Sequence, residues 1–248
     1  MMRFAGVLAA AVLLMGCQQG DANAQLTENE RDEVRDIVRD YILENPEIIE
    51  DALVELQRRA RAREMQATYD AVAAQSDAIY NDPRDPRLGP DDADIVVVEF
   101  MDYKCSYCRV AADWVQGVRE EHGDRVQFIF KEYPILGDDS VEAARAAIAA
   151  LAQGETVYED FHNAMVTSSG PLPSARIDQL ARVSGVDVER MRADMEDPAI
   201  MDHINQVRSL GRVLGVTGTP FFIVDGTIVP GANELALDEA LTGALSDG

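Results

Sequence analysis

A pair of cysteines placed between a buried strand and a helix constrains this chain more than any other feature. Residues 95–100 form a β-branched, almost continuously apolar run, which is typical of a buried parallel strand. The motif Cys105-Ser106-Tyr107-Cys108 begins within five residues of that run. From Cys108 to about His122 apolar residues recur at helical intervals. The pattern predicts that a strand delivers both cysteines to the first turn of a helix.

This placement favours redox chemistry at the two cysteines. The free N–H groups and positive dipole of a helix N-terminus stabilise a thiolate on Cys105, and the cation of Lys104 favours the same form. Cys108 lies one turn further on and can attack a mixed disulfide to resolve it. A purely structural disulfide closes a very short loop, so it would add little stability.

The other uses of a CxxC motif are weaker for this chain. A zinc site needs two further Cys or His ligands at suitable spacing. The three histidines lie apart in predicted helices, where they are expected as ordinary helix residues: His122, His162 and His203. We therefore predict no metal site of this kind.

The remaining elements predict an α/β domain over residues 91–248. A second strand is expected at 126–130, a helical block at about 138–214, and two further strands at 221–224 and 227–229 around Asp225-Gly226, a pair that favours tight hairpin turns. A helix at 234–245 closes the chain. Residues 81–93 are rich in proline and charge and are expected as a linker or irregular connection.

Two helices are predicted before this domain, at 27–44 and from Pro46 to about Ile79. Their apolar residues form a stripe too narrow to build a core of its own, so the stripe either packs on the rest of the chain or associates with other copies. We treat 25–90 as an N-terminal helical segment that could form a homo-oligomer through residues 30–60. The stripe consists of Ile37, Tyr41, Ile48, Ala52 and Leu56.

The N-terminus has the pattern of an export signal: a basic start, a short apolar core and small residues after it. Two cleavage sites are open. Ala22-Asn23-Ala24 fits an ordinary signal over residues 1–24, whereas Leu14-Met15-Gly16-Cys17 resembles a lipobox, with a signal over 1–16 and a lipid on Cys17. Either site predicts an exported, periplasmic protein, lipid-anchored in the second case, and an oxidising compartment suits disulfide chemistry.

Charge limits the partners of this chain. It has 22 Lys and Arg against 45 Asp and Glu, a formal net charge of −23. Such a surface repels phosphate backbones, so we expect no nucleic-acid partner.

Three stretches together resemble the DsbA-like branch of the thioredoxin superfamily: VVVEFMDYKCSYC at 96–108, FKEYPILG at 130–137 and GVTGTPFFIV at 215–224. The helical block between the second and third strands matches the inserted helical domain of this branch. YILENPEII at 41–49 resembles the N-terminal region of suppressor-of-copper-sensitivity C proteins, some of which are oligomeric disulfide isomerases. The resemblance implies a thioredoxin-like fold with a helical insertion, preceded by an N-terminal helical segment.

The resemblance also implies roles for single residues. Cys105 would be the exposed nucleophile and Cys108 the buried resolving thiol, while Thr219-Pro220 would be a cis-proline loop that pairs with substrate backbone. Glu99 would be the buried acid beneath the site, where it either exchanges a proton with Cys108 or forms an ion pair, for example with Lys131.

One departure from the family concerns the residues between the cysteines. Ser106-Tyr107 replaces the Pro-His of strong oxidants. No imidazole then supports the Cys105 thiolate, so we expect a less oxidising pair than the strongest DsbA oxidants.

These features predict an exported thiol–disulfide oxidoreductase that acts on cysteine-containing proteins as an oxidase or an isomerase. It would need no organic cofactor and would be reset by a membrane redox partner. Thr219 and the N-terminal helices favour isomerase by resemblance. The alternatives are a Cu(I)-binding envelope protein that uses both thiolates, and an inactive scaffold, which the intact CxxC disfavours.

Overall fold

The structure, a computed structural model, describes residues 27–247. The chain divides into one unit that ends at Ala60 and a second that begins at Arg61. The described part of the first unit contains α1 (Glu28–Glu44) and the beginning of α2 (Glu47–Ala74). A capping box starts α1, in which Thr27 and Glu30 satisfy each other's backbone N–H groups. None of the residues of α1 is buried.

The second unit holds a five-stranded sheet and, after the end of α2, eight more helices within the described residues. The strands are β1 (Arg87–Leu88), β2 (Ile95–Met101), β3 (Val126–Glu132), β4 (Phe221–Val224) and β5 (Thr227–Pro230). The helices are α3 (Ser76–Tyr80), α4 (Ser106–His122), α5 (Asp138–Leu151), α6 (Glu155–Val166), α7 (Ser174–Val183), α8 (Val188–Asp194), α9 (Pro198–Val213) and α10 (Glu234–Asp247). The predicted α/β class with a helical insertion is confirmed.

The sheet has the strand order β1-β3-β2-β4-β5, in which β2 and β3 are parallel and the other neighbours antiparallel. One face packs against α4, α10 and the helices from α5 to α8. The other packs against α9 and against Val72 of α2 and Ile79 of α3. Because side chains alternate along a strand, Glu99 points to the first face and its neighbour Phe100 to the second.

Two details differ from the sequence-based expectation. The helix expected to continue to about Ile79 divides at Gln75 into α2 and α3. The segment 81–93 is an irregular connection that packs into the domain, because Leu88 pairs with β3 and Asp85 is buried against Lys131. The boundary expected after residue 90 thus lies inside the second unit. Local composition does not reveal these long-range contacts.

None of the helices within residues 27–247 combines the length and the apolar character needed to cross a lipid bilayer. The proposed export signal and Cys17 lie outside the described residues.

Candidate active site

Cys105 stands where the loop after β2 turns into α4. It is the N-cap residue of that helix, and its N–H donates to the carbonyl of Asp102 at 2.9 Å. The resemblance implied an exposed nucleophile, but Cys105 is only 8% exposed, because it packs against the cis-proline loop and its thiol donates to the carbonyl oxygen of Thr219 at 3.1 Å. The sequence predicted this helix from Cys108; it begins at Ser106, so that Cys105 occupies the cap itself.

The surroundings of Cys105 stabilise its thiolate. The hydrogen bond from the Cys108 thiol lowers the pKa of Cys105 most, and hydrogen bonds from the Thr219 side chain and from the backbone N–H groups of Cys108 and Tyr107 add to it. Partial burial opposes them, and the pKa falls to about 5. Cys105 is therefore ionised at neutral pH, which makes it a nucleophile.

Cys108 has the opposite environment. Its side chain is fully buried, and both cysteines are free thiols in this structure. Burial raises the pKa of Cys108 most, and the hydrogen bond to Cys105 and the charge of Glu99 raise it further. The two sulfur atoms are thus one thiolate that is almost buried and one protonated thiol that is completely buried.

Glu99 lies beneath the cysteines, with one carboxylate oxygen lacking a hydrogen-bond partner among the described residues. Burial, followed by the charge of Cys105, raises the pKa of Glu99 to about 8. Of the two roles considered for Glu99, the ion pair with Lys131 is wrong, because Lys131 is in register with Phe100 and points to the opposite face of the sheet. There its ammonium group pairs with Asp85 and donates to the carbonyl of Ala78 at 2.6 Å.

The ammonium group of Lys104 binds groups other than the Cys105 thiolate that the sequence suggested. Its ammonium group donates to the carbonyl of Leu136 at 3.2 Å and to Asp139 at 3.3 Å. A carboxylate thus engages the cation that was expected to favour the Cys105 thiolate. Ser106 and Tyr107 are both exposed, and Tyr107 is 67% accessible to solvent.

The Thr219-Pro220 peptide bond is cis, as the resemblance implied, and Pro220 is buried. Tyr133 fixes the segment that leads to it, since its hydroxyl donates to the carbonyl of Val216 at 3.1 Å. Gly211 allows this approach: a Cβ there would lie 2.5 Å from the tyrosine ring.

Sequence reasoning missed Asp102, which holds the turn before Cys105. Its buried carboxylate accepts hydrogen bonds from the backbone N–H groups of Lys104 at 2.9 Å, Ile135 at 2.8 Å and Leu136 at 3.0 Å. The turn is thereby fastened to the loop after β3. The available signal was an aspartate directly after a buried strand, since this residue type commonly accepts backbone hydrogen bonds in turns.

Sequence reasoning also missed a buried polar network on the face of the sheet to which Glu99 points. The Tyr103 hydroxyl lies 2.9 Å from both Glu132 and Nδ1 of His162, and the Tyr158 hydroxyl lies 3.3 Å from the same nitrogen. Burial, and then the charge of Arg119, lowers the pKa of His162 to about 3, so the ring is neutral. His162 lies on a helix as predicted, but Tyr103, which connects it to Glu132, is far away in sequence and gave no signal.

Metal ligands do not cluster here. Across residues 27–247 there is no group of three or more His, Cys, Asp or Glu side chains arranged to hold a metal ion.

Comparison with known proteins places this geometry in a family. The sequence profile described as DSBA-like thioredoxin domain matches residues 96–241. The chain belongs to this DsbA-like family. A second profile, described as copper resistance protein ScsC N-terminal domain, matches residues 30–63. Both resemblances stated from the sequence are confirmed, and the DsbA-like family is one of thiol–disulfide oxidoreductases.

Solved structures agree with this membership. A thioredoxin-like oxidoreductase from Silicibacter pomeroyi is 42% identical, with a TM-score of 0.64, over 68% of this chain and 97% of its own. A linker-deletion mutant of ScsC from Proteus mirabilis is 28% identical, with a TM-score of 0.68, over 92% of this chain and all of its own.

Curated relatives match only in part. A Bacillus anthracis protein named probable disulfide bond formation protein D is 28% identical over 57% of this chain and 70% of its own length. The Na(+)/H(+) antiporter NhaA of Herminiimonas arsenicoxydans is 29% identical over 60% of this chain. That match covers 24% of the antiporter's own length. The chain thus spans about a quarter of the length of the first curated relatives that it matches.

Proposed function

We propose that this chain is an exported enzyme that exchanges disulfides in cysteine-containing proteins, with Cys105 as the attacking thiol and Cys108 as the resolving thiol. The observation that carries the proposal is the asymmetry of the pair. Cys105 caps a helix with its pKa lowered to about 5, whereas Cys108 is completely buried with its pKa raised. One sulfur is thus ready to attack, and the other is held back until a mixed disulfide forms.

The reaction follows from this arrangement. The Cys105 thiolate attacks a substrate disulfide, so a bond forms between Cys105 and one substrate sulfur while the other leaves as a thiolate. A second substrate thiolate can then displace Cys105, which rearranges the disulfide with no net oxidation. Alternatively Cys108 attacks, which releases a reduced substrate and leaves the Cys105–Cys108 disulfide. Glu99 is proposed to accept, in its ionised form, the proton that Cys108 loses in that step, because the mixed disulfide removes the Cys105 charge that raises the pKa of Glu99.

We further propose that the enzyme acts mainly as an isomerase. Ser106-Tyr107 supplies no imidazole to the turn, and Thr219 before the cis-proline is the residue that favoured isomerase by resemblance. Thr219 and Pro220 are proposed to hold substrate backbone beside Cys105. Lys104, Ser106 and Tyr107 are proposed to tune the redox potential.

The deciding experiment is the equilibrium reduction potential of the pair against glutathione, combined with refolding of a protein that contains scrambled disulfides. An isomerase gives a potential well below the roughly −120 mV of the strongest oxidants and recovers native disulfides when it is supplied in the dithiol form. A potential near that of the strongest oxidants, with fast oxidation of dithiol substrates, would make the chain an oxidase. Absence of exchange with any disulfide would refute the proposed function.

The cysteines themselves carry the electrons in this proposal, so the reaction uses no organic cofactor. The alternative of Cu(I) binding needs both sulfur atoms as thiolates, and the burial and raised pKa of Cys108 disfavour that. Competition with a strong Cu(I) chelator tests it, since a copper-handling role requires binding much tighter than micromolar.

Export and assembly complete the proposal. The signal over residues 1–24, or over 1–16 with a lipid on Cys17, would place the enzyme in the periplasm, where a membrane redox partner resets its dithiol. Mass spectrometry of the mature N-terminus distinguishes the two signals. Residues 30–60 are proposed to join copies into a homo-oligomer, because their large apolar side chains are solvent-exposed: Val34, Ile37, Val38, Tyr41, Leu43, Ile49, Leu53, Val54 and Leu56.

A further inference from the structure

We infer that the stretch of α2 from Arg61 to Thr68 forms the outer wall of a groove that receives an extended segment of the substrate protein beside its reacting cysteine. This inference rests on the proposed function and adds to it a binding surface outside the dithiol. It gives the end of α2 a part in substrate selection.

The groove has a volume of about 480 Å³, which is in the range of ligand-binding sites. Its inner side is the segment that leads from Gly215 to the cis-proline, together with part of the β4–β5 hairpin. Its outer side is supplied by α2, through Arg61, Glu64, Met65 and Thr68.

The end of α2 is fixed in place, yet the space beneath its preceding turns is open. Val72 is buried in the cluster that contains Val216 and Phe221. One turn earlier, a Cβ on Gly215 would lie 3.7 Å from Thr68 Oγ1. Met65 nevertheless remains 40% exposed where it lines the groove. The chain holds the helix over the loop without filling the gap with its own side chains.

Continuity with the active site identifies the occupant. Thr219 lines the groove, and its carbonyl oxygen is 3.1 Å from the sulfur of Cys105. A substrate bonded to Cys105 therefore has its adjoining backbone at the mouth of the groove. Met65 and Ile228 offer apolar surface, and Arg61 and Glu64 offer one charge of each sign, which suits a polypeptide better than a small ion.

Most of the wall comes from a segment that neither family profile covers. One profile matches residues 30–63 and the other begins at residue 96, so Glu64, Met65 and Thr68 lie between them.

The test uses the full mature protein in its dithiol form and peptides whose cysteine carries 5-thio-2-nitrobenzoate in a disulfide. The Cys105 thiolate attacks the peptide sulfur, the Cys105–peptide disulfide forms, and thionitrobenzoate leaves with the electrons of the broken bond, which gives a colour. One peptide extends four residues before its cysteine and another four residues after it. The same disulfide of glutathione is the small reference substrate.

Met65→Trp fills the groove, and Ala67→Trp is the matched control, two residues along the same helix and about 200° around it. Ala67 is exposed and does not line the groove. For one of the two peptides, we expect Met65→Trp to lower the ratio of the peptide rate to the glutathione rate about tenfold. Ala67→Trp should leave that ratio as in the wild type.

Thr68→Arg, which blocks the groove with charge instead of bulk, should give the same loss and guards against misfolding of one variant. Equal ratios in all proteins would overturn the inference. So would a change of oligomeric mass in Met65→Trp with unchanged ratios, because the groove would then hold another copy of the chain. Failure of the wild type to react even with the glutathione disulfide would instead refute the proposed function.

Discussion

Ionisation distinguishes the residues of this site from one another. Cys105 and Cys108 are chemically identical, and their pKa values are displaced in opposite directions by one shared hydrogen bond and by unequal burial. Burial also raises the pKa of Glu99. Perturbed groups gathered in one place are the usual mark of a functional site, and here each displacement gives a measurable pH dependence.

We predict that alkylation of Cys105 by iodoacetamide has its midpoint near pH 5, because the site stabilises the thiolate. A free cysteine gives a midpoint at about pH 8.5. Cys108→Ala removes the largest stabilising hydrogen bond, so its midpoint should rise by about one unit or more. A wild-type midpoint close to that of free cysteine would contradict the proposed nucleophile.

A second prediction concerns Glu99. Its pKa is about 8 in the folded dithiol protein against 4.5 for an ordinary glutamate, so the folded state keeps a proton that the unfolded state releases. Stability therefore falls as the pH rises from about 4.5 to about 8, and Glu99→Gln removes this loss. At about 1.4 kcal/mol per unit, the variant should be more stable than the wild type by about 3 kcal/mol at pH 7.

Urea unfolding at pH 4, 6 and 8 measures this difference. The two proteins should be nearly equal at pH 4 and diverge at higher pH. Oxidised wild type is the control, since without the Cys105 thiolate the divergence should shrink. Parallel pH profiles would show that Glu99 is ionised in the folded state.

At the scale of elements, the irregular connection between α3 and β2 packs into the core of the domain. Its Asp85 forms an ion pair with Lys131 of β3, and both side chains are almost completely buried. His203 of α9 lies 3.2 Å from the same carboxylate. These contacts join the connection, a central strand and a helix of the insertion on one face of the sheet.

Breaking this ion pair should be costly. Lys131→Met leaves a buried aspartate without its main counter-charge, and we expect a loss of about 3–5 kcal/mol in the free energy of unfolding. The double variant with Asp85→Leu should recover part of it. Lys104→Met, which breaks an exposed pair with Asp139, is the control and should cost about 1 kcal/mol or less. Equal losses from the two lysines would contradict the assignment.

The sequence predicted elements with a strong local pattern and missed features that depend on distant partners. The strand of residues 95–100 and the helix after the cysteines were recognised from apolar periodicity. The two-residue strand β1 was not, because only its pairing with β3 defines it. Within the site, the CxxC and the cis-proline came from motif and resemblance. The wrong partner for Glu99 arose because no pattern assigned Glu99 and Lys131 to opposite faces.

At the scale of the whole molecule, the large apolar side chains before β2 form two sets, one exposed and one buried in the core. Large apolar side chains up to Leu56 are exposed, whereas Val72, Ile79 and Leu88 are buried in the second unit. The first set is available for association between copies. The second set cannot be removed without opening the core.

Two truncated chains should therefore behave differently. A chain that begins at Arg61 should fold and be monomeric, whereas one that begins at Asp91 loses three buried apolar residues and the partner of Lys131, so it should be unstable. Light scattering and thermal unfolding measure both, with the mature chain as the oligomeric reference. A chain from Arg61 that still associates would exclude residues 30–60 as the assembly surface.

The buried position of Lys131 has a practical consequence for chemical labelling. The sequence contains only two lysines, and Lys131 is 1% exposed and ion-paired. Lys104, with 27% of its side chain accessible, is therefore the one lysine that an amine-reactive reagent can readily reach, and it is the residue next to Cys105. A cross-linker attached there would start from the residue next to the reacting cysteine, so the proteins that it captures would report on what visits the active site.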